Sequence, residues 1–234
     1  MAKLIPLNYK WIHDDPITRP TFQHDGFTEP LEAIRCIHMI RGRQCLRRSI
    51  YTIPMCWQHL KSDYNITVDR TTLVDSNGNR ASGIGLFACS KQAAEDGVPV
   101  FGPGERIVPY IGKKNSPGQM DVRYPQNAHA AYAVRLQSGD TIDAGAMRGA
   151  GALANECREE NIESGSCEGN NAEIREGGPG NYPLIVAIAP IFDGEEIFIT
   201  YGDEYWGGGD ADADTHTVAP RNAYNRLRYK RCTR

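Results

Sequence analysis

The chain has 234 residues, 40% hydrophobic and 24% charged, an ordinary balance for a globular protein with room for one domain and an accessory piece. Its longest apolar run, Tyr182 to Phe192, is too short to span a bilayer and contains prolines. The opening Met1-Ala2-Lys3-Leu4-Ile5-Pro6 lacks the apolar core of a signal peptide. The expectation is a soluble intracellular protein, nuclear or cytoplasmic, with no membrane partner. The net charge is only -3, and seven cysteines are an odd number, ill suited to a complete disulfide framework.

Residues 1–32 are rich in Pro, His and Asp without a sustained period, which predicts an extended N-terminal arm. Residues 33–62 carry a Cys/His cluster, five Arg, one Lys and no acid. Asp75-Ser76-Asn77-Gly78-Asn79 is a turn signal. Beyond Ser82 short apolar stretches alternate with Gly and Pro. Ile107–Ile111, Ala131–Leu136, Leu184–Ile188 and Glu196–Thr200 read as strands, and Asp143–Asn155 as the place for a short helix. Arg158–Gly169 reads as an inserted polar loop. Asp193–Asp214 holds eight acids and no Lys or Arg, within which Gly207–Asp214 is a Gly/Asp/Ala linker. Arg221–Arg234 holds six basic residues and no acid. Such segregation arises from solvated faces, or from basic contact surfaces and an acidic groove for a basic substrate.

Cys36, Cys45, Cys56 and His59 are spaced C-x8-C-x10-C-x2-H. Two residues between Cys56 and His59 let both side chains turn onto one ion. Four soft or borderline ligands with no open position suit structural Zn²⁺. Arg41-Gly42-Arg43-Gln44 can form the turn that returns Cys45 towards Cys36. His38 lies too close to Cys36 to be the first choice of ligand. The segments Arg35-Cys36, Gly42–Cys45 and Cys56-Trp57-Gln58-His59 resemble a small Cys3His module of multidomain proteins. Its basic character also admits a nucleic-acid partner.

Four motifs follow in order. They are Gly83-Ile84-Gly85-Leu86-Phe87-Ala88; Gly104–Gly112, with Tyr110-Ile111-Gly112 at its end; Tyr132–Leu136 with Thr141–Ala144; and Gly151-Ala152-Leu153-Ala154-Asn155-Glu156-Cys157, resumed at Asn170-Asn171. They close on Asp193-Gly194-Glu195-Glu196-Ile197-Phe198-Ile199-Thr200-Tyr201-Gly202, where a strand delivers a tyrosine next to a bare glycine. Together they resemble the SET-domain protein-lysine methyltransferases. The resemblance implies a mainly β fold with short helices, several small sheets and a knot-like C-terminal threading, with the zinc module beside it. It divides the chain into 1–32 extension, 33–62 zinc module, 70–206 methyltransferase domain and 207–234 linker and basic tail.

The resemblance implies S-adenosylmethionine as methyl donor, contacted by Ile84, Gly85, Leu86, Asn155, Glu156 and Tyr201. It implies Tyr201 and Tyr110 as catalytic residues, with Tyr110 and Ile199 lining a lysine channel. Glu156 stands where the family has histidine, and the two asparagines Asn155 and Asn171 are separated by an insert. Cys157 and Cys167 bracket that insert; they can close it as a disulfide, although an intracellular setting favours free thiols. Ile199 has no hydroxyl, which leaves room for more than one methyl group. The family's usual C-terminal zinc clip is missing, and Tyr224–Tyr229 offers two aromatics to cover the site instead. The implied substrate is a protein with an accessible lysine, a histone tail in chromatin being one fit. The alternatives are an idle fold of the same kind that binds protein through the zinc module, and a nucleic-acid reader centred on residues 33–62.

Overall fold

A computed structural model describes residues 21–24, 27–30, 36, 38–47, 53, 55–74, 83–124, 130, 132–145 and 148–202. The Asp75–Asn79 turn, the 207–214 linker and the basic tail with Tyr224–Tyr229 lie outside these residues. The fold is β-rich, with small antiparallel sheets and a few short helices. No helix among the described residues is long and apolar enough to cross a membrane.

Within the stretch expected to be an extended arm, β1 (Thr21–His24) and β2 (Phe27–Pro30) pair as a hairpin. β3 (Met39–Ile40) and β4 (Arg43–Gln44) pair around the expected Arg41-Gly42 turn, where both residues take positive φ. Helix α1 (Trp57–Tyr64) follows Cys56 and stops at Asn65, whose φ of 54° is a left-handed conformation that asparagine tolerates. β5 (Ile66–Arg70) then pairs antiparallel with β6 (Ile84–Ala88).

Two helices fall where short apolar stretches were expected. In α2 (Lys91–Asp96) the Ser90 hydroxyl accepts the N–H of Ala93 at 3.4 Å, closing the first turn. In α3 (Pro117–Arg123) the proline sits at the first helical position, and Gln119 reaches back to accept the Ser116 N–H at 2.8 Å. Hydrophobic periodicity cannot announce helices this short; only their caps do.

β7 (Arg106–Pro109), β11 (Ala172–Arg175) and β12 (Leu184–Ala187) form one three-stranded sheet, with β12 central. β12 is buried at every position, as its unbroken apolar run dictates. β8 (Lys113–Asn115), β9 (Ala133–Arg135) and β10 (Thr141–Asp143) form another, with β10 central. The expected helix near Asn155 is a single 3-10 turn, Ala150–Leu153. The insert is not a plain loop: it holds α4 (Glu159–Glu163), whose first-turn acids suit a helix N-terminus.

Glu196–Thr200 is strand-like without forming a regular strand. It threads between β6 and the segments at 155 and 171–172. Ile197 N–H donates to the Leu86 carbonyl at 2.7 Å and Ile199 N–H to that of Asn155 at 2.8 Å. The Phe198 carbonyl accepts from Asn171 at 3.1 Å and from Ala172 at 2.9 Å. One buried cluster runs from Cys36, Cys45 and Cys56 through Leu60 and Ile66 to Leu86, Ile107, Ile185, Ile197 and Ile199. The Cys/His segment therefore shares its core with the strands that carry the closing motif.

Candidate active site and metal centre

Cys36, Cys45, Cys56 and His59 converge, all buried, with their donor atoms within 4.8 Å of one another. β3 and β4 return the chain so that Cys45 meets Cys36, and the first turn of α1 sets Cys56 and His59 on one face. His59 Nδ1 lies 3.1 Å from the Cys36 sulfur and 3.4 Å from that of Cys56. Tetrahedral zinc, with Zn–S of about 2.3 Å and Zn–N of about 2.0 Å, asks for donor separations of about 3.5–3.8 Å. The donor set fits such an ion.

The electrostatics agree. Burial pushes the Cys36 thiol up to about 12, and the sulfurs of Cys56 and Cys45 add to the rise. At Cys45 burial also pushes upward, but hydrogen bonds from Arg47, Cys36 and Cys56 outweigh it and the net shift is down. Burial, then the neighbouring His38, holds the His59 imidazole below its usual value. Thiols crowded in one buried spot resist ionising together, and a divalent cation removes that resistance. His38 is not among the four ligands: its Nδ1 lies 2.6 Å from Asp63, and its ring stacks on His59 with centroids 3.7 Å apart.

A second place is chemically prominent. A cavity of about 720 Å³ is lined by Tyr110, Tyr132, Ala152, Ala154, Ile199 and Tyr201 among others. The Tyr201 hydroxyl donates to the Ala154 carbonyl at 2.9 Å, and the Tyr110 hydroxyl to that of Tyr132 at 3.0 Å. Burial first, then the nearby Tyr201, drives the Tyr110 phenol far above the usual range, so it stays a neutral donor.

The other expected site residues, Ile84, Gly85, Leu86, Asn155 and Glu156, are not among those lining this cavity. Asn155 Nδ2 donates to the Ile84 carbonyl and to Glu196 Oε1, both at 2.9 Å. Glu156 Oε1 accepts the Tyr201 N–H at 2.9 Å and the Thr200 hydroxyl at 3.0 Å. Gly85 faces a close neighbour: a Cβ there would stand 2.0 Å from Glu196 Oε1 and 2.6 Å from its Cδ. The close approach expected of a ligand at this glycine is made by a protein side chain. Glu196 is itself buried and accepts from Thr71 Oγ1 at 2.8 Å and from the N–H and hydroxyl of Thr72 at 2.6 Å each.

Several expectations change. Cys157 and Cys167 are joined as a disulfide, not held as free thiols. The acids that open the supposed acidic groove turn inward. Asp193 accepts the Ser90 N–H at 2.7 Å, Glu195 the Phe192 N–H at 2.9 Å, and Glu196 is spent as above. The remaining acids, from Asp203 on, lie outside the described residues. The basic face of the zinc segment does stand open, with Arg41, Arg43 and Arg47 exposed.

Arg148, Thr71 and Thr72 carry no motif and were not expected at the site; Tyr132 reads in the sequence only as the start of a strand motif. Arg148 alone had a signal, being the only basic residue between Arg135 and Arg158 in a small, apolar run.

No protein-family model matches the chain, and no curated protein does. Among solved structures it is similar to the crystal structure of an active polycomb repressive complex 2 in the basal state. The identity is 21%, over 59% of this chain and 15% of that one, with a TM-score of 0.40. The chain thus spans only 15% of the length of the chain it matches, and superposition at this level assigns neither fold family nor function.

Proposed function

We propose that the protein transfers a methyl group from S-adenosylmethionine to a lysine side chain of a protein. The observation that carries the reading is Tyr201. Its hydroxyl is fixed on the Ala154 carbonyl at the wall of an aromatic cavity, while its backbone is held from behind by Glu156. An in-line displacement needs donor and acceptor on opposite sides of the travelling carbon. Tyr110, Tyr132 and Ile199 line the cavity with Tyr201, and this reading gives the donor's side to Ile84–Leu86, Asn155 and Glu156.

S-adenosylmethionine, when bound, supplies a methyl group whose C–S electron pair returns to sulfur as the new N–C bond forms. The chain's own residues do the rest. The cavity takes the lysine stem and excludes water. The amine must arrive neutral, which from a free pKa near 10.4 requires roughly 4–5 kcal/mol at pH 7. Tyr201 Oη and the Ala154 carbonyl place oxygen atoms around the path of the methyl group, where C–H···O contacts steady it. The product ammonium passes its proton to solvent. Ile199, buried and without a hydroxyl, leaves space for a second and third methyl group.

The same reading gives Cys36, Cys45, Cys56 and His59 one structural Zn²⁺. It keeps 33–62 and 70–206 as zinc module and methyltransferase domain, between a 1–32 extension and a 207–234 linker and tail. It also makes chromatin, with its lysine-rich histone tails, the first place to look for substrate.

The test is a methyl-transfer assay with S-adenosylmethionine on core histones and on the protein itself, read by mass spectrometry. Lysines gaining 14 Da steps support the proposal. Titration calorimetry with S-adenosylmethionine separates an enzyme, which binds it, from an idle fold, which does not.

A further inference from the structure

The cavity poses an electrostatic problem. Tyr110, Tyr132 and Tyr201 together line one space, and clustered aromatic rings attract ammonium ions. A cavity that holds lysine as an ammonium reads lysine; it does not alkylate it. Arg148 bears on this point. It is buried, 9% exposed, inside an otherwise small and apolar run. Nε donates to the Ala144 carbonyl at 3.2 Å and a terminal nitrogen to that of Gly145 at 2.9 Å. These bonds hold the guanidinium carbon 4.2 Å from the centroid of the Tyr132 ring. The ring's attraction for cations is thereby already engaged by a fixed internal cation.

We propose that Arg148 makes this cavity select a neutral amine over an ammonium ion. This inference rests on the methyl-transfer reading for its purpose but not for its physics. A permanent charge behind the aromatic wall repels a second cation and leaves an uncharged, apolar group unaffected. Arginine suits the task because it stays protonated when buried, where lysine shifts.

The other charged groups nearby do not cancel it. Arg135, Arg175 and Glu176 line the cavity but are exposed, so solvent and salt screen them. Asp143, the last residue of β10, is fully buried and is bonded by Arg123, the Tyr124 hydroxyl and the Gly145 N–H. The tyrosines Tyr110, Tyr132 and Tyr201 contribute dipoles rather than charge. Arg148 is a positioning and tuning residue, since it reaches the substrate only through Tyr132.

The experiment uses the full chain and two probes of matched shape, choline and its uncharged analogue 3,3-dimethyl-1-butanol, followed by chemical-shift titration. The wild type should bind the neutral probe at least as well as choline. Arg148→Gln keeps a donor for the carbonyls and removes the charge, and should tighten choline about fivefold or more with little change for the alcohol. Arg148→Lys, whose ammonium loses its charge more readily when buried, should fall between wild type and Arg148→Gln. On a methylated substrate, Arg148→Gln should move the rising limb of the rate–pH profile about one unit upward. The rate at pH 7 then falls about tenfold while the high-pH rates converge.

A wild type that prefers choline overturns the inference, and this measurement needs no variant to fold. So does a folded Arg148→Gln with unchanged probe preference and pH profile, or one slowed equally at every pH. If no lysine is methylated at all, the methyl-transfer reading fails while the choline comparison still decides the role of Arg148.

Discussion

The carboxylate of Glu156 accepts the backbone N–H of Tyr201 at 2.9 Å and, with the same oxygen, the hydroxyl of Thr200 at 3.0 Å. A residue that departs from the resembled family's pattern thus anchors the tyrosine on which the proposed chemistry turns. Glu156→Ala should lower methyl transfer about tenfold by loosening Tyr201, whereas Glu156→Gln, which keeps an acceptor oxygen, should stay within about threefold of wild type. Steady-state rates of the two variants check this; equal loss in both would mean that the charge matters and not the anchor.

Tyr201→Phe removes one hydroxyl and its bond to the Ala154 carbonyl. The expected loss of methyl transfer is about a hundredfold or more, comparable to removing one preorganised donor elsewhere. The expected loss of stability is only about 1 kcal/mol, because the ring stays packed. Activity and urea denaturation measured on the same preparation separate the two effects. Full activity in this variant removes Tyr201 from the mechanism.

Gly85→Ala should destabilise the fold by about 3 kcal/mol. The added carbon collides with Glu196, which four hydrogen bonds prevent from stepping aside. Any retreat of Glu196 releases Asn155 and Thr72 as well. Thermal unfolding gives the answer, and an unchanged midpoint would show that the carboxylate moves freely.

Zinc should be present at one ion per chain and fall away in Cys56→Ser, by metal analysis of purified protein. Because Cys36, Cys45 and Cys56 share a buried cluster with Leu86, Ile107 and Ile197, chelation should lower the unfolding midpoint of the whole chain. Zinc content unaffected by Cys56→Ser would sink the ligand assignment.

The double variant Cys157→Ser, Cys167→Ser should lose about 2–3 kcal/mol, as expected for opening a loop with a sequence separation of 10 residues. Denaturant midpoints with and without the variant test it. Cofactor affinity should fall with it, since residues 155–157 and 170–171 flank the closed loop.

Much of this molecule was legible beforehand, and the reasons differ by residue. Cys36, Cys45, Cys56 and His59 were readable because ligand chemistry limits the residue types that can meet. β12 was readable because an apolar run between turn signals has few other uses. Tyr201 and Tyr110 were singled out through resemblance, and both line one cavity. The helices α2 and α3 were missed because one or two turns show no period. Glu196 reads as the start of a strand in the closing motif and as one acid of a charged stretch, not as a buried hub. Burial turned it inward, and nothing local to its sequence says that Thr71, Thr72 and Asn155 will satisfy it. Arg148 stands out only as a lone basic residue in an apolar run, and the Tyr132 ring it stacks on lies sixteen residues away in the chain.

The threading of residues 196–199 between β6 and the segments at 155 and 171 also constrains how the protein is made. The bonds of Tyr201 to Glu156 and to the Ala154 carbonyl each join stretches more than forty residues apart, and Tyr201 itself emerges only near the end of the described chain. Local helices and hairpins can form during synthesis, but the Tyr201 wall of the cavity cannot close until residue 201 is free of the ribosome. At about 5–20 residues per second, β6 waits roughly 5–25 s for its partner. During that wait β6 can pair with β5 and pack on Leu60 and Ile66, but its contact with residues 195–197 is still unmade.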